Sequence, residues 1–104
     1  MITLTRAAAE QIRKSAQETS LEGLSLRLAV KRMEDGSFDY GMGFDAETED
    51  DLRFKSEGVN VVVSPAYMEM LNGLTLDYVE LEPGSFNFIF LNPNDPNYTP
   101  PATG

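Results

Sequence analysis

Between Leu24 and Lys31 apolar and polar residues alternate one for one. Leu24, Leu26, Leu28 and Val30 fall on one side, and Ser25, Arg27, Ala29 and Lys31 on the other. A period of two places successive side chains on opposite faces of a strand, so this segment predicts a half-buried strand and commits the chain to a sheet. The same period returns in Tyr40, Met42 and Phe44, in Leu74, Leu76 and Tyr78, and in Phe86, Phe88 and Phe90. Val59–Val63 is a β-branched run that suits a strand buried on both faces, and Leu52 to Lys55 predicts a further short strand. Glu34-Asp35-Gly36-Ser37, Glu57-Gly58 and Pro83-Gly84 have the composition of turns between them. Gly41 and Gly43 share the face opposite Met42, which predicts a bulge or a close backbone approach there.

Two segments leave this pattern. Thr5 is placed to cap a helix, with Leu4 before it as a staple onto Ala9, and Ala9, Ile12 and Ala16 recur at helical spacing until about Thr19. Ser64-Pro65 then opens a short helix through Ala66 to Leu71, which Asn72-Gly73 ends. The chain of 104 residues, 41% apolar, has the length of one domain and enough apolar content for a core. The predicted fold class is α+β and β-rich: a compact β-sandwich-type domain with an N-terminal helix and one short internal helix. Leu26, Leu28, Val30, Phe44, Val61 and Phe88 are expected to share its core. Beyond Leu91 come four prolines and one glycine, with Tyr98 almost the only apolar side chain. The division expected is a domain over 1–94 and a flexible Pro-rich tail over 95–104.

Charge and missing residue types exclude several functions. Seventeen acidic residues face eight basic ones, a net charge of −9 that opposes a phosphate backbone, so neither nucleic acid nor an anionic membrane surface is expected as a partner. There is no cysteine and no histidine. Thiolate catalysis, disulfides, the usual zinc sites and a Ser–His–Asp arrangement all require one or the other. Any metal would be a hard ion held by oxygens. No apolar run reaches the roughly 20 residues of a membrane span, and Met1 to Ala9 lacks the order of a signal peptide, so a cytoplasmic location is expected.

The chemical candidates each have an ordinary reading beside the functional one. Glu34, Asp35 and Asp39, and then Asp45, Glu47, Glu49, Asp50 and Asp51, supply carboxylates for a hard cation. The spacing of a calcium-binding loop is absent, and such runs are usually solvated. Glu80 and Glu82 share a strand face as a possible acid–base pair, but their position beside Pro83-Gly84 favours exposure. Met33, Met42, Met68 and Met70 offer thioethers, for which core packing is the simpler role, with Met42 on the core face. Arg27, Lys31 and Arg53 are either a docking patch or cations on a solvated face. Tyr98 is either an anchor on a partner or an incidental aromatic. No nucleophile–base pair emerges, so no catalytic residue, metal ligand or cofactor is assigned.

Several segments, in their order, resemble one family. Leu26-Arg27-Leu28-Ala29-Val30-Lys31, the aromatics Tyr40 and Phe44, Phe54 through Val63, Leu71 through Val79, and Phe88-Ile89-Phe90-Leu91-Asn92-Pro93-Asn94 are together similar to the HesB/IscA family of A-type iron–sulfur carriers. The resemblance runs from about Ile2 to Asn94 and implies that family's fold. It also implies a ligand set of three cysteines, one after the first long strand and two in a C-terminal Cys-Gly-Cys. Aligned without gaps, those positions are Asp35, Thr99 and Pro101. Cluster iron is normally held by soft, anionic thiolates, and none is present, so carriage is expected to be lost. The role then implied is non-catalytic and works through protein contact, with iron–sulfur assembly components or a cysteine-containing relative as partner. The alternative is delivery of iron or a cluster through carboxylates or partner-supplied ligands. A monomer or weak homodimer is expected, because a cluster-bridged contact cannot form.

Overall fold

A computed structural model describes residues 1–98. In chain order its elements are β1 (Thr3–Leu4), α1 (Arg6–Glu18), β2 (Ser25–Arg32), β3 (Phe38–Asp45), β4 (Leu52–Ser56), β5 (Val59–Val63), α2 (Pro65–Leu71), β6 (Thr75–Glu82) and β7 (Ser85–Leu91). The strands form two sheets, one ordered β3-β2-β5-β4 and the other β1-β6-β7. Neighbours run antiparallel except β2 with β5 and β1 with β6, which are parallel.

Alternation in β2 does what its sequence requires. Leu26, Leu28 and Val30 are buried with Val61 and Val63 of β5, with Leu71, Leu74 and Leu76, and with Ala8, Ala9 and Ile12 of α1. Phe44 and Phe88 pack against this cluster from its partly covered margin. A fully buried leucine contributes about 1.5–3 kcal/mol relative to an exposed one. This shared interior therefore outweighs any single cap or turn. The caps differ: Thr5 Oγ1 accepts from the Ala8 amide at 3.1 Å, whereas Ser64 makes no side-chain capping hydrogen bond and α2 opens on Pro65 in its first turn. The Glu57-Gly58 turn joins β4 to β5 through two residues of positive φ, 49° and 78°. That is the backbone twist that fits a two-residue hairpin, and it explains the glycine.

The structure corrects four sequence-based expectations. Leu24 lies outside β2 and is 38% exposed, because β2 begins at Ser25. Met42 faces the interior side, opposite Leu28, yet is 36% exposed, since β3 is an edge strand that the second sheet does not fully cover. No bulge occurs at Gly41 or Gly43. The β2–β3 register is unbroken from Ser25↔Asp45 to Arg32↔Phe38, and a Cβ on Gly43 would meet nothing within 4 Å. The register shift falls instead between Glu80 and Glu82, where it breaks the alternation that would have placed those carboxylates together. Strand β1 has no counterpart in the sequence reading: Ile2 and Leu4, both 2% exposed, fill the interior beside Leu76.

Among the described residues no helix is long and apolar enough to cross a membrane.

Candidate functional site

The first position of interest, Asp35, lies in the loop between β2 and β3. Met33 N–H donates to Ser37 O at 2.8 Å and Gly36 N–H to Met33 O at 2.9 Å, leaving Glu34, Asp35 and Gly36 as the reversal. Gly36 has φ +87°, the left-handed conformation that closes a three-residue hairpin loop. One oxygen of Asp35 accepts from both the Ser37 hydroxyl, at 2.5 Å, and the Ser37 amide, at 2.9 Å. These two donors, the hydroxyl first, hold the Asp35 carboxyl below its ordinary range. The carboxylate is thus a brace for its own turn.

The chain beyond β7 is tied into the same end of the domain. Asn92, fully buried, donates its side-chain amide to Met70 O at 2.7 Å and accepts from the Asn94 amide N–H at 3.0 Å. Asn94 donates its side-chain amide to Asn72 O at 2.7 Å. This pair satisfies carbonyls left open where α2 ends. Asp95 then accepts from the Tyr40 hydroxyl at 2.7 Å, while its other oxygen accepts from the Asn97 amide at 2.9 Å. Burial, and secondarily the Asp95 carboxylate, push the Tyr40 phenol well above its usual value. Residues 92–94, at the end of the expected domain, and Asp95, the first residue of the expected tail, are hydrogen-bonded to the end of α2 and to β3. Their contact on β3 is five residues from Asp35.

An open recess of about 500 Å³ lies here, lined by Arg32, Glu69, Met70 and Asn94. Its lining holds one carboxylate, one guanidinium, an amide and a thioether, with no pair that could act as nucleophile and base. Arg32 places its guanidinium 5.4 Å from the Phe38 ring centroid. Thr99 and Pro101 lie outside the described residues, as does most of the expected 95–104 tail.

The second acidic group behaves differently from a solvated run. Asp51, 7% exposed, takes a two-pronged hydrogen bond from Arg27, with Nη1 at 2.8 Å and Nη2 at 2.5 Å. Arg27 Nε reaches Asp45 at 2.6 Å. Arg53 Nε donates to Glu47 at 2.8 Å, and the Ser25 hydroxyl donates to the other Glu47 oxygen at 2.9 Å. Arg27, with the Thr48 amide, holds the Asp51 carboxyl well below its ordinary value, and Asp51 and Asp45 raise Arg27 in turn. Arg53, then Ser25, also lowers the Glu47 carboxyl from its ordinary value. Arg27 and Arg53 are therefore both paired with carboxylates of this acidic group; Arg27 is largely covered, whereas Arg53 stays on a solvated face as its sequence reading allowed. Both stand in register with Val62, which is fully buried on the face away from the main core. The same two arginines hold the 46–51 loop, through Asp51, Glu47 and Thr48. Among the described residues no group of three or more carboxylates is arranged to hold a metal ion.

Three cysteine positions of the resemblance carry an engaged carboxylate, a hydroxyl side chain and a proline, and the whole chain has no thiol. This donor set does not fit an iron–sulfur cluster. The scaffold around it does match known proteins. Residues 1–99 match the family described as iron-sulphur cluster biosynthesis. The chain belongs to this family, the HesB/IscA family. The iron-sulfur cluster insertion protein ErpA of Xylella fastidiosa is 34% identical over 94 residues, which cover 89% of this chain and 73% of that protein. A crystal structure of IscA with a [2Fe-2S] cluster superposes with a TM-score of 0.70 at 30% identity, covering 89% of this chain and 83% of the other. Escherichia coli SufA, a protein involved in biosynthesis of iron-sulfur clusters, gives 0.71 at 33% identity, covering 89% and 86%.

Sequence reasoning found Asp35 and the Asn-Pro-Asn passage but missed what fixes them. Tyr40 was visible only as an aromatic at a family spacing, and Asp95 only as part of a tail. The burial of Asn92 had a faint signal, an asparagine directly after an apolar strand.

Proposed function

We propose that this chain is a non-catalytic member of the iron–sulfur biosynthesis family that has lost cluster binding and acts in the cytoplasm through contact with another protein. An iron–sulfur assembly component or a cysteine-containing relative is the partner this reading favours. One observation carries it: the chain keeps the family's scaffold and has no cysteine. The geometry of Asp35 supports it, because its carboxylate is already committed to Ser37. With no cluster to bridge two copies, the protein is a monomer or a weak homodimer. The second reading, delivery through carboxylates or partner-supplied ligands, rests on Asp35 at the first ligand position.

Reconstitution separates the two. After incubation with ferrous iron and sulfide and desalting, the wild-type protein should be colourless. The triple variant Asp35→Cys, Thr99→Cys, Pro101→Cys restores the thiolates. Residue 99 is four positions beyond the anchored Asp95, a chain reach of at most about 14 Å. That variant should take up iron and sulfide and show the broad visible absorption of a thiolate-bound cluster. Stable, equal uptake by the wild-type protein would overturn the proposal in favour of the second reading.

A further inference from the structure

Positive charge is distributed along this chain with a sharp boundary. All eight Lys and Arg residues lie between Arg6 and Lys55, and none follows. The remainder carries six acidic residues: Glu57, Glu69, Asp77, Glu80, Glu82 and Asp95. The sheet β1-β6-β7 consequently contains no basic residue at all.

That sheet also has an unguarded edge. Soluble proteins usually blunt edge strands with charge, proline or brevity. In the other sheet β3 carries Asp39 and Asp45, and β4 carries Arg53 and Lys55. On the far side of its own sheet, β1 is only two residues long. Strand β7, Ser-Phe-Asn-Phe-Ile-Phe-Leu, has seven residues with no charge and no proline, and among the described residues only β6 pairs with it. Its first half is exposed, with Phe86 at 52%, and Leu81 at the adjoining bulge is 60% exposed. The Phe86 ring stacks 5.6 Å from Tyr78, which in turn lies 4.8 Å from Phe88, so an aromatic surface reaches solvent at this hairpin. Glu80 and Glu82 border it.

We infer that the outer edge of β7 receives an extended segment of another protein, one that alternates apolar and basic side chains and adds as a further strand. Backbone pairing supplies the affinity of strand addition, and side-chain complementarity selects the partner. An apolar residue covers Phe86 while lysine or arginine answers Glu82 and the acidic field. A second copy of this chain is the wrong occupant, because its own β7 carries no cation to answer that field. The inference gives a surface to the proposed role in protein contact. It is decided separately, since iron and sulfide uptake tests the loss of cluster binding and says nothing of β7.

The probe is a short synthetic peptide of alternating lysine and valine, with an alternating glutamate and valine peptide as control. Amide resonances of the full chain are followed by NMR at low and at moderate salt. The basic peptide should shift residues of β7 and of the β6–β7 turn and slow hydrogen exchange along Ser85–Phe88, and the acidic one should not. Glu82→Lys and Phe86→Ser should each weaken binding about tenfold, the scale of a truncated interface anchor. Both side chains are exposed, so folding is preserved, and the unperturbed resonances of the core check this. Glu22→Lys, remote in sequence and on a loop, should leave the affinity unchanged. The inference fails if the shifts fall elsewhere, if Glu22→Lys weakens binding as much as Glu82→Lys, or if Phe86→Ser has no effect. A tight dimer whose interface is β7 would also overturn it, by making a second copy the occupant.

Discussion

Tyr40 lies flat against Phe90, with ring centroids 4.5 Å apart and planes only 2° from parallel. The contact joins β3 of one sheet to β7 of the other. Since the hydroxyl of the same tyrosine donates to Asp95, a single side chain links both sheets and the root of the C-terminal segment.

Separate substitutions should resolve these two roles. Tyr40→Phe retains the stack and removes the hydroxyl, so it should cost about 1 kcal/mol, the net value of one hydrogen bond. Amide exchange at Asn97 and Tyr98 should accelerate at the same time. Tyr40→Leu removes the flat ring as well and should cost about 1 kcal/mol more, the excess value of an aromatic pair. Urea denaturation and hydrogen exchange measure both. Equal stability of Tyr40→Phe and Tyr40→Leu would show that the stack contributes nothing.

Asn92 makes a stricter test, because its side chain is fully buried and both ends of its amide are used. Asn92→Ala leaves the Met70 carbonyl with the weaker donor Asn94, at 3.2 Å, and should destabilise the fold by about 1–3 kcal/mol. Asn92→Asp conserves the shape but sets an oxygen against the Met70 carbonyl, so it should be worse than alanine. Chemical denaturation of the three proteins gives the order directly.

Acid should weaken the protein in a definite window. Asp51, Asp35 and Glu47 all have folded-state pKa values below those of the free side chains, 3.8 for aspartate and 4.5 for glutamate. Each therefore contributes stability that is fully present above its unfolded value and is lost as pH falls through the folded one. The denaturation midpoint should be flat near neutrality and drop below about pH 4.5. Asp51→Asn should lower stability at pH 7 and lose less of the remainder on acidification. A wild-type profile and an Asp51→Asn profile that run parallel down to pH 2 would show that Asp51 is not a source of the slope.

Salt reports on the unbalanced charge. With a net charge of −9 the exposed carboxylates repel one another, and salt screens that repulsion more than the partly buried Arg27–Asp51 pair, so screening should raise the thermal midpoint. Calorimetry across moderate sodium chloride concentrations checks this, and a falling midpoint would mean that the Arg27 and Arg53 pairs dominate.

The fold was legible wherever neighbours in sequence are also neighbours in space. Alternation located β2, and Ser64-Pro65 and Asn72-Gly73 bracketed α2, because these signals are local. What escaped depends on distant partners. Asp51 looked like one more acid in a run until Arg27, 24 positions earlier, folded onto it. Two residues of β1 carry no period of their own and become a strand only beside Thr75 and Leu76. At the candidate site the missing thiols were plain from composition alone. The clamp formed by Asn92, Asn94, Asp95 and Tyr40 required three-dimensional contacts between segments over 20 residues apart.

The pairing of β1 with β6 also sets a timetable for synthesis. Leu4 finds its partner, Leu76, 72 residues later, which at about 5–20 residues per second means roughly 4–14 s of translation. In that interval the β2–β3 and β4–β5 hairpins can close from local contacts, whereas Ile2, Leu4 and the apolar stripe of α1 have no second sheet to cover them. In a nascent chain of this protein the apolar residues of β1 and α1 therefore stay uncovered until β6 emerges.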